Sequence, residues 1–370
     1  MTLEYLPNDK PDENEVEISV FGPGVGECIV CHLGKSCWLV VDSFLNNESG
    51  NPIAIDYLER LNVDISKNVV LVVASHWHDD HVRGLSQVFE ATKRAKFACS
   101  AALRSDDFLA MLEASSQIKL IKASSGTKEL KSIFDVLRKR EQAGPDIWAQ
   151  DHTLLYEDPV ESVQVRALAP SSHTVTSAIA RFAKMIPNAG QACKRFQLLK
   201  PNDTSVVLQL RVGNSTVLLG GDLEVGSNNN SGWRGVLGSG HHSNRKSGTF
   251  KAAHHGSANG DLAEIWSDLL CANPVVAIAP YGKGRKPLPS QDDINRIRQN
   301  SGSAYLTCFP PTKRPKKRRQ KMERTIDEVL SNRSVARKRP GLIRIRFDAN
   351  NETYNPKVDL FNGAVDLATV

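Results

Sequence analysis

The sequence predicts a sheet-rich α/β layered fold. Three observations carry this: short apolar runs bounded by turn residues, helical patterns set between them, and acidic or histidine residues that close several of the runs. Residues 17–21 alternate, and the runs 28–33 and 37–42 flank the turn Gly34-Lys35-Ser36 as a hairpin ending on Asp42. In 51–61, Ile53, Ile55, Leu58 and Leu61 share a helical face. The valine-rich stretch 68–74 has the composition of a strand buried on both faces, and 82–93 reads as the helix that follows it. Helical patterns recur at 105–113 and 128–142. A strand is expected at 162–169, then a helical arm at 174–199 carrying Arg181, Lys184, Lys194 and Arg195. Strands at 205–212 and 216–219 surround the turn Gly213-Asn214, and the second ends in Gly220-Gly221-Asp222. The Gly, Asn and Ser content of 228–247 predicts a loop. A strand at 250–253 delivers His254-His255-Gly256-Ser257. A helix at 261–270, a strand at 275–280, a helix opened by the capping box Ser290-x-x-Asp293, and strands at 304–308 and 341–348 follow.

Hydrophobic residues make up 40% of the 370 and charged residues 24%. That balance excludes a disordered chain, a collagen-like repeat and a disulfide scaffold. No apolar run approaches the roughly 20 residues that span a bilayer. The first seventeen residues have neither a basic start nor an apolar stretch of signal-peptide length, so the expected location is cytoplasmic, without membrane insertion. Seven cysteines are present, with one Cys28-x-x-Cys31 pair and no second pair to complete a zinc knuckle. Their apolar neighbours favour small buried hydrophobes over metal binding or redox work.

The net charge of +6 is unevenly placed. From Lys313 to Arg339 there are twelve basic and three acidic residues, a balance of +9 that leaves −3 for the rest. Residues 312–321, TKRPKKRRQK, carry seven positive charges: Lys313, Arg314, Lys316, Lys317, Arg318, Arg319 and Lys321. One reading is a solvated loop; the other is a handle for a polyanion, most often nucleic acid. With no aromatic residue in the run, sequence-independent phosphate contact is expected rather than base stacking.

The chemistry concentrates in His76-x-His78-x-Asp80-His81, directly after the valine-rich strand. Two histidines two residues apart on a leaving loop can grip one metal, while Asp80 and His81 turn towards a second. Imidazole and carboxylate suit Zn²⁺ or Mn²⁺.

These residues resemble the HxHxDH signature of the metallo-β-lactamase superfamily. Asp42 is similar to its first motif, an aspartate behind the metal ligands, and Gly220-Gly221-Asp222 to the motif whose aspartate bridges two metals. The His254-His255-Gly256-Ser257 stretch resembles the HHGS of the ComEC-like branch and of phosphorylcholine esterase-like members, and Asn202-Asp203-Thr204-Ser205 its N-D-x-S. The likeness covers about 17–90 and 201–308. It implies an α/β metallo-β-lactamase αββα sandwich, one domain over 1–370, with a helical insertion at about 100–200 and a basic insertion at about 310–340. It also implies two divalent metal ions. His76 and His78 would hold the first, Asp80, His81 and His255 the second, and Asp222 would lie between them. His254 would touch a phosphate oxygen or protonate the leaving group, and its order with His255 is open to exchange. Asp203 would be a ligand or a turn cap. His152 and His173 are the candidates for a further family histidine, and their contexts suit surface or core positions better. Leu288 stands where ComEC-like chains carry a histidine, and Lys283, Arg285 and Lys286 nearby could hold phosphates or be solvated.

The function expected is that of a metal-dependent phosphodiesterase or nuclease on DNA or RNA, within a nucleic-acid-processing or anti-phage defence complex with protein partners. The alternatives are a small-molecule hydrolase (cyclic nucleotide, phosphorylcholine-like ester, lactone or thioester) and a non-catalytic binding subunit.

Overall fold

The computed structural model describes residues 3–104, 108, 125–142, 144–185, 200–242, 245–283, 286–309, 339–351 and 354–370. The basic run 312–321 and residues 186–199 of the expected helical arm lie outside them.

The strands, in chain order, are β1 (Glu15–Gly22), β2 (Cys28–His32), β3 (Trp38–Val41), β4 (Val69–Ala74), β5 (Lys96–Ser100) and β6 (Ile147–Ala149), followed by β7 (Leu154–Asp158), β8 (Val163–Ala169), β9 (Val207–Val212) and β10 (Ser215–Leu219). After these come β11 (Ser247–Lys251), β12 (Leu270–Ile278), β13 (Ser303–Leu306), β14 (Gly341–Asp348), β15 (Lys357–Phe361) and β16 (Val365–Asp366). Among the described residues they form two eight-stranded sheets. One has the order β15-β14-β1-β2-β3-β4-β5-β6, the other β16-β13-β12-β11-β10-β9-β8-β7.

Side-chain alternation explains why the strands read as unbroken apolar runs. In β4, Leu71 and Val73 enter the core between the sheets, whereas Val72 and Ala74 pack outward under helices. In β10, Val217 and Leu219 face inward and Leu218 outward. Both faces of each sheet are therefore covered, one by the opposing sheet and one by helices. This is the αββα sandwich.

The helix expected at 82–93 is broken at Gly84, whose φ of 84° only glycine adopts without strain; the pieces are Asp79–Val82 and Leu85–Ala91. The expected loop 228–247 contains a helix, Gly232–Ser239. Trp233 and Val236 bury one face of it, and the Trp233 indole donates to the Leu223 carbonyl. Packing overrides the helix-weakening glycines there. Within the expected helical insertion, the helices Ser125–Lys139 and Ser172–Met185 accompany three strands that extend both sheets, β6, β7 and β8. Ser290 and Asp293 form the expected capping box on the helix Gln291–Asn300. Cys28 and Cys31 lie on opposite faces of β2, one in the outer core and one in the inner, so they cannot grip one ion together. No helix among the described residues is long and apolar enough to cross a membrane.

β3, β4 and β5 are parallel, as are β10, β11, β12 and β13. The loops leaving their C-terminal ends gather at one edge of the sandwich, where ligands of open α/β sheets are commonly bound.

Candidate metal centre

Each chemical residue leaves the end of a parallel strand. Asp42 follows β3, Ser75 and His76 follow β4, Asp222 follows β10, and His254 and His255 follow β11. Asp42, His254 and His255 all have left-handed backbone angles, φ 60°, 47° and 57°. Such strain is held where the surroundings over-determine the chain, and it aims these side chains inward. Gly221 has φ 52°, and a Cβ there would lie 2.6 Å from Ser205 Oγ, so the turn before Asp222 admits only glycine without rearrangement.

Asp42 is fully buried and organises two histidines from behind. Its carboxylate accepts from the Ser75 backbone N–H at 2.7 Å, the Ser75 hydroxyl at 2.6 Å and His81 Nδ1 at 2.8 Å. Ser75 Oγ in turn meets His76 Nδ1 at 3.0 Å. His255 Nδ1 donates to the Ala279 carbonyl at 2.9 Å. In all three histidines Nδ1 is engaged and Nε2 is left facing the centre, the arrangement by which outer partners orient a ligating imidazole.

Those Nε2 atoms converge on Asp222 Oδ2, with His255 at 3.3 Å, His81 at 3.4 Å and His76 at 3.8 Å. Asp80 Oδ2 stands 3.7 Å from His255 Nε2 and 3.8 Å from His81 Nε2. His76 Nε2 and His78 Nδ1 are 2.9 Å apart. Besides Asp42-His76-His81 and Glu27-Asp222-His255, two groups have ligand atoms within 4.8 Å of one another, His76-His78-Asp222 and Asp80-His81-His255. Asp222 Oδ2 touches both. His81 Nε2 and Asp222 Oδ1 are buried without a hydrogen-bond partner, a costly state unless a cation meets them. The donor set and these orphaned atoms fit a dinuclear divalent-metal centre.

The charges are strongly coupled. Burial pushes His76 well below its ordinary value, and the neighbouring His81 adds to this. Burial also opposes protonation of His81 and His255, yet Asp222 beside both, with Asp42 on His81, holds them above the ordinary imidazole value. Asp222 itself, despite its burial, is drawn well below the carboxylate range by His255 and His81.

His254 stands apart from both groups. Asn202 Nδ2 is 3.2 Å from His254 Nε2 and also donates to Glu224 Oε1 at 3.2 Å, while His254 Nδ1 lies 3.9 Å from that carboxylate. This clamp turns His254 towards a cavity of about 630 Å³ lined also by Trp77, Tyr281, Leu288, Lys200 and Lys286. The Tyr281 ring stacks on His255 at 5.0 Å.

Asp203 belongs to neither metal group and does not line the cavity; its carboxyl, half-buried near Glu224, is raised chiefly by burial. Its neighbour Asn202 is the residue that reaches the site. His152 and His173 also lie outside the groups, the His152 ring tilted against His241 with centroids 4.7 Å apart. Sequence reasoning missed Asn202, Glu224, Tyr281 and a buried pair, Glu27 and Lys251, 2.6 Å apart beneath Asp222. A lysine closing the apolar strand just before His254-His255 was the available signal for the pair.

Residues 22–181 match the family model of the metallo-β-lactamase superfamily. No curated protein matches the chain. Among solved structures it is similar to the metallo-β-lactamase SMB-1 bound to 2-mercaptoethanesulfonate, with 15% identity, TM-score 0.36, and coverage of 68% of this chain and 81% of that one. It is also similar to CmlA, a diiron β-hydroxylase from Streptomyces venezuelae, with 13% identity, TM-score 0.33, and coverage of 73% and 45%. AidC, a dizinc quorum-quenching lactonase, shows 13% identity, TM-score 0.28, and coverage of 53% and 55%. At these TM-scores the likenesses bear on neither substrate nor reaction. The matched segment carries His76, His78, Asp80 and His81 on the loop where the sandwich places its buried histidine–aspartate cluster.

Proposed function

We propose that the chain is a phosphodiesterase of the ComEC-like branch, acting as a nuclease on DNA or RNA. The observation that carries this is the pair of ligand groups joined through Asp222 at the floor of a cavity whose rim bears Lys200 and Lys286. His76, His78 and Asp222 would hold one divalent cation and Asp80, His81 and His255 the other, and such a pair would supply a nucleophile from water at neutral pH and stabilise displacement at phosphorus. Zn²⁺ and Mn²⁺ both suit these donors.

His254 lines the cavity beside the reacting phosphate, with Asn202 donating to Nε2 and Glu224 facing Nδ1, so the ring is held in one orientation. Lys200 and Lys286 attract the phosphates flanking the reacting one, and Trp77 and Leu288 form apolar walls. The basic run 312–321 extends the hold on a polyanion, in the cytoplasm and with protein partners in nucleic-acid processing or defence. The described residues of 174–185 and 228–242 do not line this cavity, so they do not narrow it towards a small ester.

The test is metal analysis joined to a cleavage panel. Purified chain loaded separately with Zn²⁺ and Mn²⁺ is offered single- and double-stranded DNA, RNA, cyclic dinucleotides, a lactone and a thioester. Cleavage of polynucleotide that weakens steeply with salt is expected. Turnover confined to the lactone or thioester would overturn the proposal.

A further inference from the structure

Lys251 occupies a place that the fold does not require to be charged. It pairs in register with Leu219 of β10 and Ala277 of β12, both apolar and part of the core between the sheets. Its side chain is fully buried, and its partner Glu27, just before β2, is buried too. The pair links the two sheets beneath the metal centre. A buried ion pair is often no better for stability than an apolar pair of the same size, so its retention calls for another reason.

The geometry around it supplies one. Lys251 Nζ is 2.6 Å from Glu27 Oε1, donates to the Gly221 carbonyl at 3.0 Å, and lies 4.0 Å from Asp222 Oδ1. Neither Glu27 oxygen has a well-aligned hydrogen bond, so charge rather than direction holds this carboxylate. The Glu27 backbone N–H is tied to the Asp80 carbonyl at 3.0 Å. A Glu27 oxygen lies within 4.8 Å of ligand atoms of both Asp222 and His255. An anionic oxygen suited to a hard divalent ion is thus in reach of the centre, and Lys251 is paired with it.

We infer that Lys251 is a positioning residue that keeps Glu27 out of the metal coordination shell while holding Asp222 with Oδ2 turned to the histidines. The inference rests on the reading of the cluster as a metal centre. Without Lys251, Glu27 swings in as an extra ligand, binding the cation more tightly and filling a position that water or substrate needs. Without the charge of Glu27, the Lys251 ammonium shifts to Asp222 Oδ1 and competes with the cation. The two substitutions therefore act in opposite directions.

The test uses the full chain, stripped of metal and titrated with Zn²⁺, and separately Mn²⁺, against a competing chelator. Lys251→Met is expected to tighten binding about tenfold, the scale on which groups just outside the coordination shell tune affinity. Glu27→Gln, nearly isosteric and so the variant safest to fold, is expected to weaken it about tenfold. The double variant should return to within about twofold of the parent. Binding in the parent with no change, or the same sign of change, in both single variants would overturn the inference alone. A parent that binds neither ion would overturn the metal-centre reading, and the inference with it.

Discussion

Asp42→Asn tests how much the centre depends on one buried carboxylate. The side chain accepts three hydrogen bonds, from Ser75 N–H, Ser75 Oγ and His81 Nδ1. An asparagine of the same shape can satisfy only part of this set. If its oxygen keeps the Ser75 N–H, its NH₂ faces His81 Nδ1 and the Ser75 hydroxyl. His81 must then carry its proton on Nε2, and Ser75 turns its own proton towards His76 Nδ1 with the same result. Both Nε2 atoms are lost as ligands. If the amide flips instead, NH₂ meets the Ser75 N–H and one buried donor is left unsatisfied, costing about 1–3 kcal/mol. The first outcome predicts a loss of metal affinity of about 10- to 100-fold, equivalent to about 1.4–2.7 kcal/mol. The second predicts a matching fall in the stability of the metal-free chain. Chelator competition reads one and denaturant unfolding of the stripped protein reads the other. Affinity within twofold of the parent together with an unchanged unfolding midpoint would refute the reasoning.

Other expectations follow from the same geometry. His78→Ala or Asp80→Ala removes a ligand and should lower metal-dependent cleavage by about a thousandfold, with the circular dichroism spectrum unchanged; retained activity would place the chemistry elsewhere. Because His81 and His255 are held above the ordinary imidazole value in the metal-free protein, a cation competes with protons for them. Affinity should therefore rise from pH 6 to pH 8 with measurable proton release on binding, and a flat profile would contradict the placement of those ligands. Neutralising Lys316, Lys317, Arg318 and Arg319 should flatten the salt dependence of DNA binding by up to about 0.9 log units per lost phosphate contact, while turnover of a small bis-aryl phosphodiester stays the same. An unchanged slope would return that run to the role of a solvated loop.

What the sequence determined by itself is local. The motif His76-x-His78-x-Asp80-His81 lies within six residues after a strand whose apolar run states its own burial, so the strand and much of the buried histidine–aspartate cluster were legible together. Asp42, Asp222 and His255 were legible because each closes an apolar run, and parallel strands bring such ends to one edge. The short strands β6 and β7 and the glycine-rich helix Gly232–Ser239 were not, because the partners that pair or bury them decide their form and their own propensities do not. Asn202 in place of Asp203 was likewise decided by which of two adjacent polar side chains the turn Pro201–Thr204 points at His254. The Glu27–Lys251 pair depends wholly on tertiary structure: Glu27 precedes a strand of one sheet and Lys251 ends a strand of the other, and only the face-to-face packing of those sheets sets a carboxylate and an ammonium together beneath Asp222. Periodicity reports whether a residue is buried, but the charge that will meet it there is set by chain segments far away in sequence.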